Sequence, residues 1–463
     1  MTGEESGQPP RAEPPEQPSS EPPAGVPPTE PPAAQPPAGP PAPPGAGGLP
    51  DRARVVVRDD LERSRLTVFF RLLLVIPHLI VLGIFSLLAA AIALVNWFAI
   101  LFTGKAVGHN MQARYLRYFT HVDAYFNLAA NPWPGFEGDP GSYPVDAEIP
   151  EAAPQNRWKT FFRLFLAVPA LLIGSAFGAS GVYGGVGNYR VSLGIIGIAA
   201  FLGWFAALVR SRMPRGLRDL VAYGLGYSVQ VAAYILLVTD RYPNSDPLYH
   251  DYGDRPDDHP VRITNDDDRR RSRLTVFFRL LLWLPHLVWL VLWGIVVFFT
   301  VLANWFVTLF AGRPAAALHR FNAAYARYVT HNSAYLYLVA NPFPGFTGAP
   351  GSYPVDLRIA GPQRQNRWKT GFRLILGFPA LLINSALANA LGIVALLGWF
   401  VGLIKGEMPE GLRNLGVFAL RYNGQAFAYM ALLTDRYPFS GPSLELVEPV
   451  PPVIPSEPQT ATG

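Results

Sequence analysis

The stretch RSRLTVFFRLLLVIPHLI (residues 63–80) decides the fold of this chain, because it recurs almost unchanged as RSRLTVFFRLLLWLPHLV (271–288). A second stretch follows in the same order, and NPWPGFEGDPGSYPVD (131–146) returns as NPFPGFTGAPGSYPVD (341–356). Self-similarity at a fixed spacing is the sequence signature of a repeat architecture. The chain therefore consists of two similar halves.

A second repeat lies within each half. An FFR or GFR motif begins at residues 69, 161, 277 and 371, and each is followed by a proline, at Pro77, Pro169, Pro285 and Pro379. Each run then reaches an NWF or GWF motif, at Trp97, Trp204, Trp305 and Trp399. The pattern predicts four units in the order A-B-A-B. We name them A, B, C and D and place them at residues 51–140, 141–247, 248–346 and 347–441.

Each unit has the same order of parts. It begins with a short piece that alternates in hydrophobicity: RVVVRDD (54–60), YPVDAEI (143–149), HPVRITND (259–266) and YPVDLRI (353–359). Such short alternation is a weak strand signal, but its fourfold recurrence predicts one strand per unit and a small sheet outside the membrane. A long apolar run follows, and then an amphipathic, aromatic-rich helix.

The apolar runs are typical of membrane segments. Residues 69–104 carry one formal charge, Arg71, and would form about 54 Å of helix against a hydrocarbon core of about 30 Å. One interpretation is a single tilted span, and the other is a helical hairpin. Unit B carries 15 extra residues around GASGVYGGVGNYR (178–190), and basic residues flank both ends of every run. Both features favour the hairpin. We therefore predict a mainly α, multi-pass helical membrane protein.

Composition separates this body from its tails. Half of the 463 residues are hydrophobic and 15% are charged, against about a quarter in ordinary soluble domains. Residues 1–50 hold 18 of the 47 prolines and six glutamates against Arg11, which predicts a disordered tether, and residues 442–463 resemble it. The chain has no cysteine, which excludes disulfides, thiolate metal sites and thiol catalysis.

Several motifs carry a family resemblance. IPHLI, NWFAILFTGK, an aromatic helix containing AY, and a closing TDRYP (239–243 and 434–438) resemble the bacterial membrane family known as domain of unknown function 4389. The resemblance covers about residues 52–440, although units A and C close with NPWPGF and NPFPGF instead, and unit B carries its insertion. It implies a membrane location, and it implies no activity and no catalytic residue.

The aromatic helices share a stripe of polar and aromatic side chains at spacing i, i+3 and i+7, which places them on one helical face. The twelve residues are Tyr118, His121, Tyr125, Tyr227, Gln230, Tyr234, Tyr328, His331, Tyr335, Tyr422, Gln425 and Tyr429. One hypothesis is a groove between units that faces a lipid headgroup or a small solute. The alternative is an interfacial belt, with each tyrosine hydroxyl in water.

Other candidate chemistry has simpler interpretations. His78 and His286 follow the helix prolines, and we expect neutral side chains that bond a carbonyl left free by the proline. No metal-ligand spacing or phosphate-binding loop occurs, so we expect no catalytic residue, metal or cofactor. The run DDDRRR (266–271) indicates anchoring to anionic lipid headgroups rather than binding of nucleic acid.

These patterns predict an integral protein of the cell membrane with a non-catalytic role, as a scaffold or assembly partner in the envelope. Its Pro-rich N-terminal tail would lie in the cytoplasm and recruit protein partners, while arginines and lysines contact the bilayer. The alternative is a transporter or channel-like protein with a solute or lipid site between the repeats.

Overall fold

The computed structural model describes residues 50–178, 194–253 and 259–443. In all four units the chain forms a strand, a short helix, a long helix and a second helix rich in aromatic residues, in that order. The prediction of a mainly α fold is confirmed. We name the elements by unit, so that long helix A, for example, belongs to unit A.

The strands are Arg54–Val57, Val145–Glu148, Val261–Asn265 and Val355–Ile359. The short helices are Arg65–Phe69, Arg157–Phe161, Arg273–Phe277 and Arg367–Gly371. The long helices are Arg71–Thr103, Arg279–Ala311 and Arg373–Lys405 in units A, C and D, and the pair Arg163–Phe177 and Ile195–Arg210 in unit B. The aromatic helices are His109–Phe126, Arg215–Ile235, Ala316–Leu336 and Glu410–Met430.

The predicted hairpin is wrong in units A, C and D. Each apolar run forms a helix of 33 residues, about 50 Å long, with no turn in its middle. Long helix A continues through Leu88, where a hairpin would have turned. The runs of A and C contain no turn-forming residues at their centres, so uninterrupted helix satisfies every backbone group there. These three helices are long and apolar enough to cross a membrane.

Unit B follows the same plan with one interruption. Gly178 and Gly194, at the facing ends of its two helices, are adjacent: a Cβ on Gly194 would lie 2.5 Å from the Gly178 nitrogen. Phe177 and Ile196 both pack against Gly224 of aromatic helix B, so the two helices meet end to end. The 15 extra residues on which the hairpin prediction depended, 179–193, lie outside the described residues.

Each long helix ends at a residue in the left-handed conformation. Units A, C and D place a glycine there, Gly104, Gly312 and Gly406, with φ between 71° and 74°. Glycine has no Cβ and adopts this conformation without steric cost. Unit B places Ser211 at the same position, with a φ of 55°. This serine carries a strain that the other three units avoid.

Each aromatic helix packs antiparallel on the long helix of its own unit. In unit A the Asn96 amide donates to Gln112 near one end (3.1 Å), and the Tyr118 hydroxyl contacts His78 near the other (2.9 Å). Only residues 104–108 connect the two helices, and such a short connection makes consecutive helices antiparallel neighbours. Long helix A packs on this partner and on the short helix of unit B, and it buries residues that include Leu82 and Ala89.

Units A and B are joined reciprocally at both ends of their long helices. Arg65 of unit A donates to the Val209 carbonyl at the end of long helix B (3.0 Å). At the opposite end, the Gln155 amide of unit B donates to the Gly104 carbonyl (2.9 Å). The two long helices are therefore antiparallel. Units C and D repeat both contacts, through Arg273 with Ile404 and Gln365 with Gly312.

The predicted strands form, but in the described residues they do not make one sheet. Strand A pairs antiparallel with strand B, Arg54 opposite Glu148, and strand C pairs antiparallel with strand D, Val261 opposite Ile359. Each sheet has two strands because unit A pairs with unit B and unit C pairs with unit D. Units B and D contribute to the contact between the halves, because their long helices touch and their Tyr223 and Phe418 rings meet edge to face at 5.9 Å.

Candidate functional site

The twelve residues of the aromatic stripe lie in the interior, and none is more than 2% exposed. They are Tyr118, His121, Tyr125, Tyr227, Gln230, Tyr234, Tyr328, His331, Tyr335, Tyr422, Gln425 and Tyr429. The interfacial belt is therefore wrong, because the tyrosine hydroxyls do not reach water. The structure brings each trio together with partners from its own chain. Contact of these residues with a ligand stays a prediction.

The last tyrosine of each trio lies under the arginine of the FFR or GFR motif. The Arg71 Cζ lies 4.3 Å from the centre of the Tyr125 ring, which is within cation–π range. The same stacking occurs between Arg163 and Tyr234 (4.5 Å), Arg279 and Tyr335 (4.3 Å), and Arg373 and Tyr429 (4.5 Å). The motif that marks each unit in the sequence therefore marks one buried contact.

The same guanidinium also caps the end of the aromatic helix. Arg71 Nη1 donates to the carbonyls of Tyr125 (2.6 Å) and Ala130 (3.0 Å). The last carbonyl groups of a helix have no hydrogen-bond donor within the helix, and here the arginine donates to them. The other units repeat both bonds, Arg163 to Tyr234 and Thr239, Arg279 to Tyr335 and Ala340, and Arg373 to Tyr429 and Thr434.

Sequence reasoning missed this contact. It treated the arginine as a charge at the start of the apolar run, where a basic residue is expected near a membrane surface. The fourfold recurrence of the arginine and of a tyrosine at one matched position was the signal that could have paired them.

The middle residue of the trio ties a strand to the helix in units A and C. His121 Nε2 lies 2.7 Å from Asp146 Oδ1, and His331 Nε2 lies 2.6 Å from Asp356 Oδ1. Burial by itself would raise the pKa of Asp356, but hydrogen bonds from His331 and from the Gly351 amide outweigh it and lower that pKa. Asp356 is therefore ionised and held as an acceptor.

In units B and D a glutamine makes the equivalent bridge. Gln230 Oε1 accepts from the Asn244 amide (2.7 Å), and Gln425 Oε1 accepts from the Phe439 amide (3.0 Å). Gln425 also donates to the Val261 carbonyl of strand C (3.0 Å). Histidine and glutamine thus perform one structural task, which is to hold an extended segment against the aromatic helix.

In units A and C, the first tyrosine of the trio contacts the histidine that follows the helix proline. His78 Nδ1 lies 2.9 Å from the Tyr118 hydroxyl, and His286 Nδ1 lies 2.7 Å from the Tyr328 hydroxyl. We expected a bond to a carbonyl left free by the proline, and that partner is wrong. The His286 ring also stacks on Phe346 at 4.4 Å. The histidine pairs with the tyrosine because the long and aromatic helices pack together and the tyrosine hydroxyl reaches across their interface.

Two charged motifs also make contacts that their sequence did not predict. Arg271, the last residue of DDDRRR, is buried and pairs with Asp267 at 2.7 Å, so it does not anchor lipid headgroups. Asp435 of the second TDRYP accepts from the distant Arg373 (3.0 Å) rather than from its neighbour Arg436. In both cases tertiary packing supplies the charge partner.

Two cavities in the described part of the chain are lined by residues outside the aromatic stripe. Among the described residues there is no group of three or more His, Asp or Glu side chains that could hold a metal ion. A cavity of about 440 Å³ at the junction of units A and B is lined by Glu62, Arg63, Ser64, Asn131, Ser211 and Arg212. A second cavity, of about 230 Å³, includes Arg58, Arg117 and Glu148. Neither cavity is lined by a stripe residue.

The long helices carry the most unusual surface of the molecule. Leu73, Ile80 and Leu87 of long helix A are each at least 60% exposed. In the most apolar window of long helix C only 11% of the residues are buried. Monomeric soluble proteins rarely expose continuous apolar surface on this scale.

Together these features define a helical protein of four repeated units with a polar, hydrogen-bonded interior and an exposed apolar face. The chain belongs to the family described as Domain of unknown function (DUF4389), whose model matches residues 65–136, 189–245, 273–347 and 367–440. These matches cover more than half of the chain and confirm the four tandem units. Comparison with curated proteins found no match, and comparison with solved structures also found none.

Proposed function

We propose that the chain is a protein of the cell membrane whose four units form a rigid, non-catalytic platform, acting as a scaffold or assembly partner in the envelope. One observation carries the proposal. The motif residues that recur in every unit make internal contacts: the FFR arginine caps the aromatic helix, and the stripe residues bind strands and helices together. Because the repeated residues make internal contacts, the outer surface of the protein is left to bind other molecules.

The membrane location is supported by the exposed apolar face and by basic residues at the ends of the long helices. Arg65 lies at one end of long helix A and Lys105 at the other, and both are exposed. Such residues attract anionic headgroups. The long helices could meet the bilayer in two ways, by crossing it or by lying within one leaflet, and a scaffold is compatible with either.

The Pro-rich residues 1–50 are the proposed recruiting segment. Their polyproline character suits recognition by partner domains with aromatic-lined grooves. Basic flanking segments tend to stay in the cytoplasm, so the tail is placed there in this proposal.

The test compares three forms of the chain in native membranes: the full chain, a form lacking residues 1–50, and a matched form lacking residues 444–463. After cross-linking, partners are quantified by mass spectrometry. We expect removal of residues 1–50 to lower the recovery of specific partners at least tenfold, while membrane association is unchanged and the C-terminal deletion has no effect.

A different result would favour the transporter. If the purified full chain in liposomes drives uptake of a solute, and replacement of Tyr125, Tyr234, Tyr335 and Tyr429 together by phenylalanine abolishes uptake without unfolding the protein, the scaffold proposal is overturned. Equal partner recovery by all three forms would overturn the role assigned to the tail.

A further inference from the structure

Long helix A has two opposite faces with different neighbours. His78, Leu82, Ala89, Asn96 and Ile100 are buried, on the side where the helix packs on aromatic helix A and on the short helix of unit B. The exposed stripe on the opposite side consists of Leu73, Ile76, Ile80, Ile84, Leu87, Leu94, Phe98 and Phe102. These positions follow the helical period, so they form one continuous apolar line from the start of the helix to its end.

Long helix C repeats the arrangement. Its buried residues include His286, Val297, Asn304 and Thr308. Its exposed stripe consists of Leu281, Leu284, Val288, Leu292, Ile295, Phe299, Leu302, Phe306 and Phe310. No Asp, Glu, Lys or Arg occurs between residues 280 and 312. Units A and C therefore each present an uncharged apolar line about 50 Å long, and on long helix C further exposed apolar side chains flank it, among them Leu287, Trp289 and Phe298.

After each aromatic helix the chain returns along it in extended form. In unit A, Asp146 contacts His121 (2.7 Å) and the Ala147 carbonyl accepts from Arg117 (3.2 Å). Farther on, the Gln155 amide reaches the carbonyl of Gly104. Since His121 lies beside the start of long helix A and Gly104 at its end, the return segment 145–155 covers nearly its whole length.

The corresponding segment 355–365 does the same beside long helix C. Asp356 contacts His331 (2.6 Å), the Leu357 carbonyl accepts from Arg327 (3.2 Å), and the Gln365 amide reaches Gly312 (2.9 Å). Two structurally matched segments therefore run abreast of the two most exposed long helices.

Each return segment is buried at its first residues, such as Val145 and Val355, and is mostly exposed and without regular structure after its strand. Residues 149–156 and 360–366 form neither helix nor strand, and Glu151, Arg358 and Arg364 are exposed. If the long helices crossed a bilayer, this backbone and these charges would lie at hydrocarbon depth. Unpaired peptide groups and charged side chains facing lipid each cost several kcal/mol, roughly 2.5–3.5 kcal/mol per charge by insertion scales.

We propose that the long helices lie in the plane of the membrane, embedded in one leaflet through their exposed apolar stripes, while the return segments lie in the water above that leaflet, on the same side of the bilayer as the helix ends. The inference rests on the proposed membrane location and names how that membrane is contacted. The occupant of the apolar face is a phospholipid leaflet with anionic headgroups.

Charge and aromatic residues at the helix ends match this occupant. At one A–B junction Arg65 contacts the end of long helix B, next to Arg210, and at the other Lys105 follows Gly104, whose carbonyl accepts from the Gln155 backbone amide in the segment that leads to Arg157. Trp158, next to Lys159, is 74% exposed. In a helix lying in the plane, all of these side chains sit at headgroup level, where basic and tryptophan residues are favoured.

The first experiment measures depth. The chain has no cysteine, so single cysteines at Leu73, Leu87 and Phe102 can carry nitroxide labels in the otherwise intact protein. The labelled protein is reconstituted in liposomes containing anionic phospholipid. We expect all three labels at one shallow depth, about 5–10 Å below the headgroups. In a spanning helix Leu87 would lie about 20 Å deeper than its neighbours, and that profile would overturn the proposal.

The second experiment measures sidedness in sealed membrane vesicles from the expressing cells. Ser64→Cys and Lys105→Cys mark the two ends of long helix A, and Glu151→Cys marks the return segment. We expect an impermeant maleimide to label all three from the same side. Labelling of Ser64→Cys and Lys105→Cys from opposite sides would overturn the in-plane arrangement and leave the scaffold role intact. A chain that does not sediment with membranes at all would overturn both.

Discussion

The most apolar helices of this protein are the least buried, and the more polar helices are the most buried. In the most apolar window of long helix C, 11% of the residues are buried. In aromatic helix B, by contrast, every residue from Gly216 to Tyr234 is buried, including Arg218, Asp219 and Gln230. In water the hydrophobic effect would favour the reverse distribution.

The reversal teaches what holds the molecule together. Where the surrounding solvent is hydrocarbon, apolar surface gains little by leaving it, and helices associate through packing and hydrogen bonds. The interior of this protein contains polar contacts of this kind. Arginine stacks on tyrosine, aspartate forms a hydrogen bond with histidine, and glutamine accepts hydrogen bonds from backbone amides. The four predictions below test that comparison, from the largest expected effect to the smallest.

Replacing the capping arginine should produce the largest loss. Arg279→Met leaves the carbonyls of Tyr335 and Ala340 without a partner and removes the stacking on the Tyr335 ring. We expect the free energy of unfolding to fall by about 3–5 kcal/mol, as when a buried charged group is removed from its partners. Thermal unfolding in detergent measures it. The control is Arg358→Met at an exposed position, and equal losses in the two variants would refute a polar interior as the source of stability.

The two faces of long helix A should respond differently to the same truncation. Leu82 is 3% exposed and packs inside the unit, whereas Leu87 is 60% exposed. We expect Leu82→Ala to cost about 2–4 kcal/mol through the lost contacts and the cavity, and Leu87→Ala to change the stability by less than about 0.5 kcal/mol. Chemical unfolding in matched detergent measures both. If Leu87→Ala is as costly, the exposed stripe packs against protein and the comparison fails.

Asp123 is a partly buried carboxyl group that accepts a hydrogen bond from the Asn127 side chain (2.9 Å). Burial raises its pKa to about 7, against the opposing effect of a hydrogen bond from Asn127. A carboxyl whose folded pKa is raised destabilises the folded state at high pH, and this cost disappears as the pH falls towards the ordinary value of 3.8. We expect Asp123→Asn to stabilise the protein by about 1–2 kcal/mol above pH 7, after allowance for solvent screening.

The gain from Asp123→Asn should shrink progressively between pH 7 and pH 4, and unfolding midpoints measured across that range will show it. Units B, C and D have no carboxyl at this place, since Ala232, Ser333 and Phe427 occupy it. A control substitution, Ser333→Ala, should give a gain or loss that does not vary with pH. A pH-independent gain at Asp123 would exclude its ionisation as the cause.

The smallest effect is expected at the end of long helix B. Ser211 adopts the left-handed conformation that glycine occupies in the other units. Relief of this strain by Ser211→Gly should stabilise the protein by about 1 kcal/mol, and the reverse exchange, Gly406→Ser, should destabilise it by a similar amount. Differential scanning calorimetry of the pair measures both. Shifts of the same sign would show that the helix ends are not equivalent.

Much of this architecture could be predicted from periodicity alone. The FFR or GFR motif and the NWF or GWF motif, which each recur in every unit, indicated four units, the alternating pieces indicated one strand in each, and the apolar runs indicated membrane-type helices. The hairpin was wrong in units A, C and D because its main support was the insertion in unit B, which those three runs lack, and each of them forms an uninterrupted helix. Basic residues at both ends of each run indicated ends on one side, which an in-plane helix would satisfy equally well.

The candidate site was predicted only in part. Helical spacing correctly placed the three stripe residues of each unit on one face, but spacing does not show what that face meets. Tyr125 meets Arg71, which is 54 residues away in the chain, and His121 meets Asp146 on a strand. These partners are set by how the helices pack, and local sequence carries no record of that packing.

The sequence by itself determined the repeat, the type of each element and the strongly apolar character of the long helices, because these depend on local propensity and side-chain period. Only the tertiary structure decided which helix is inside. The long and aromatic helices both have an apolar face, and the choice depends on where the arginines, glutamines and aspartates find partners. Burying the polar helix satisfies those groups, and it leaves the apolar helix exposed on the outside.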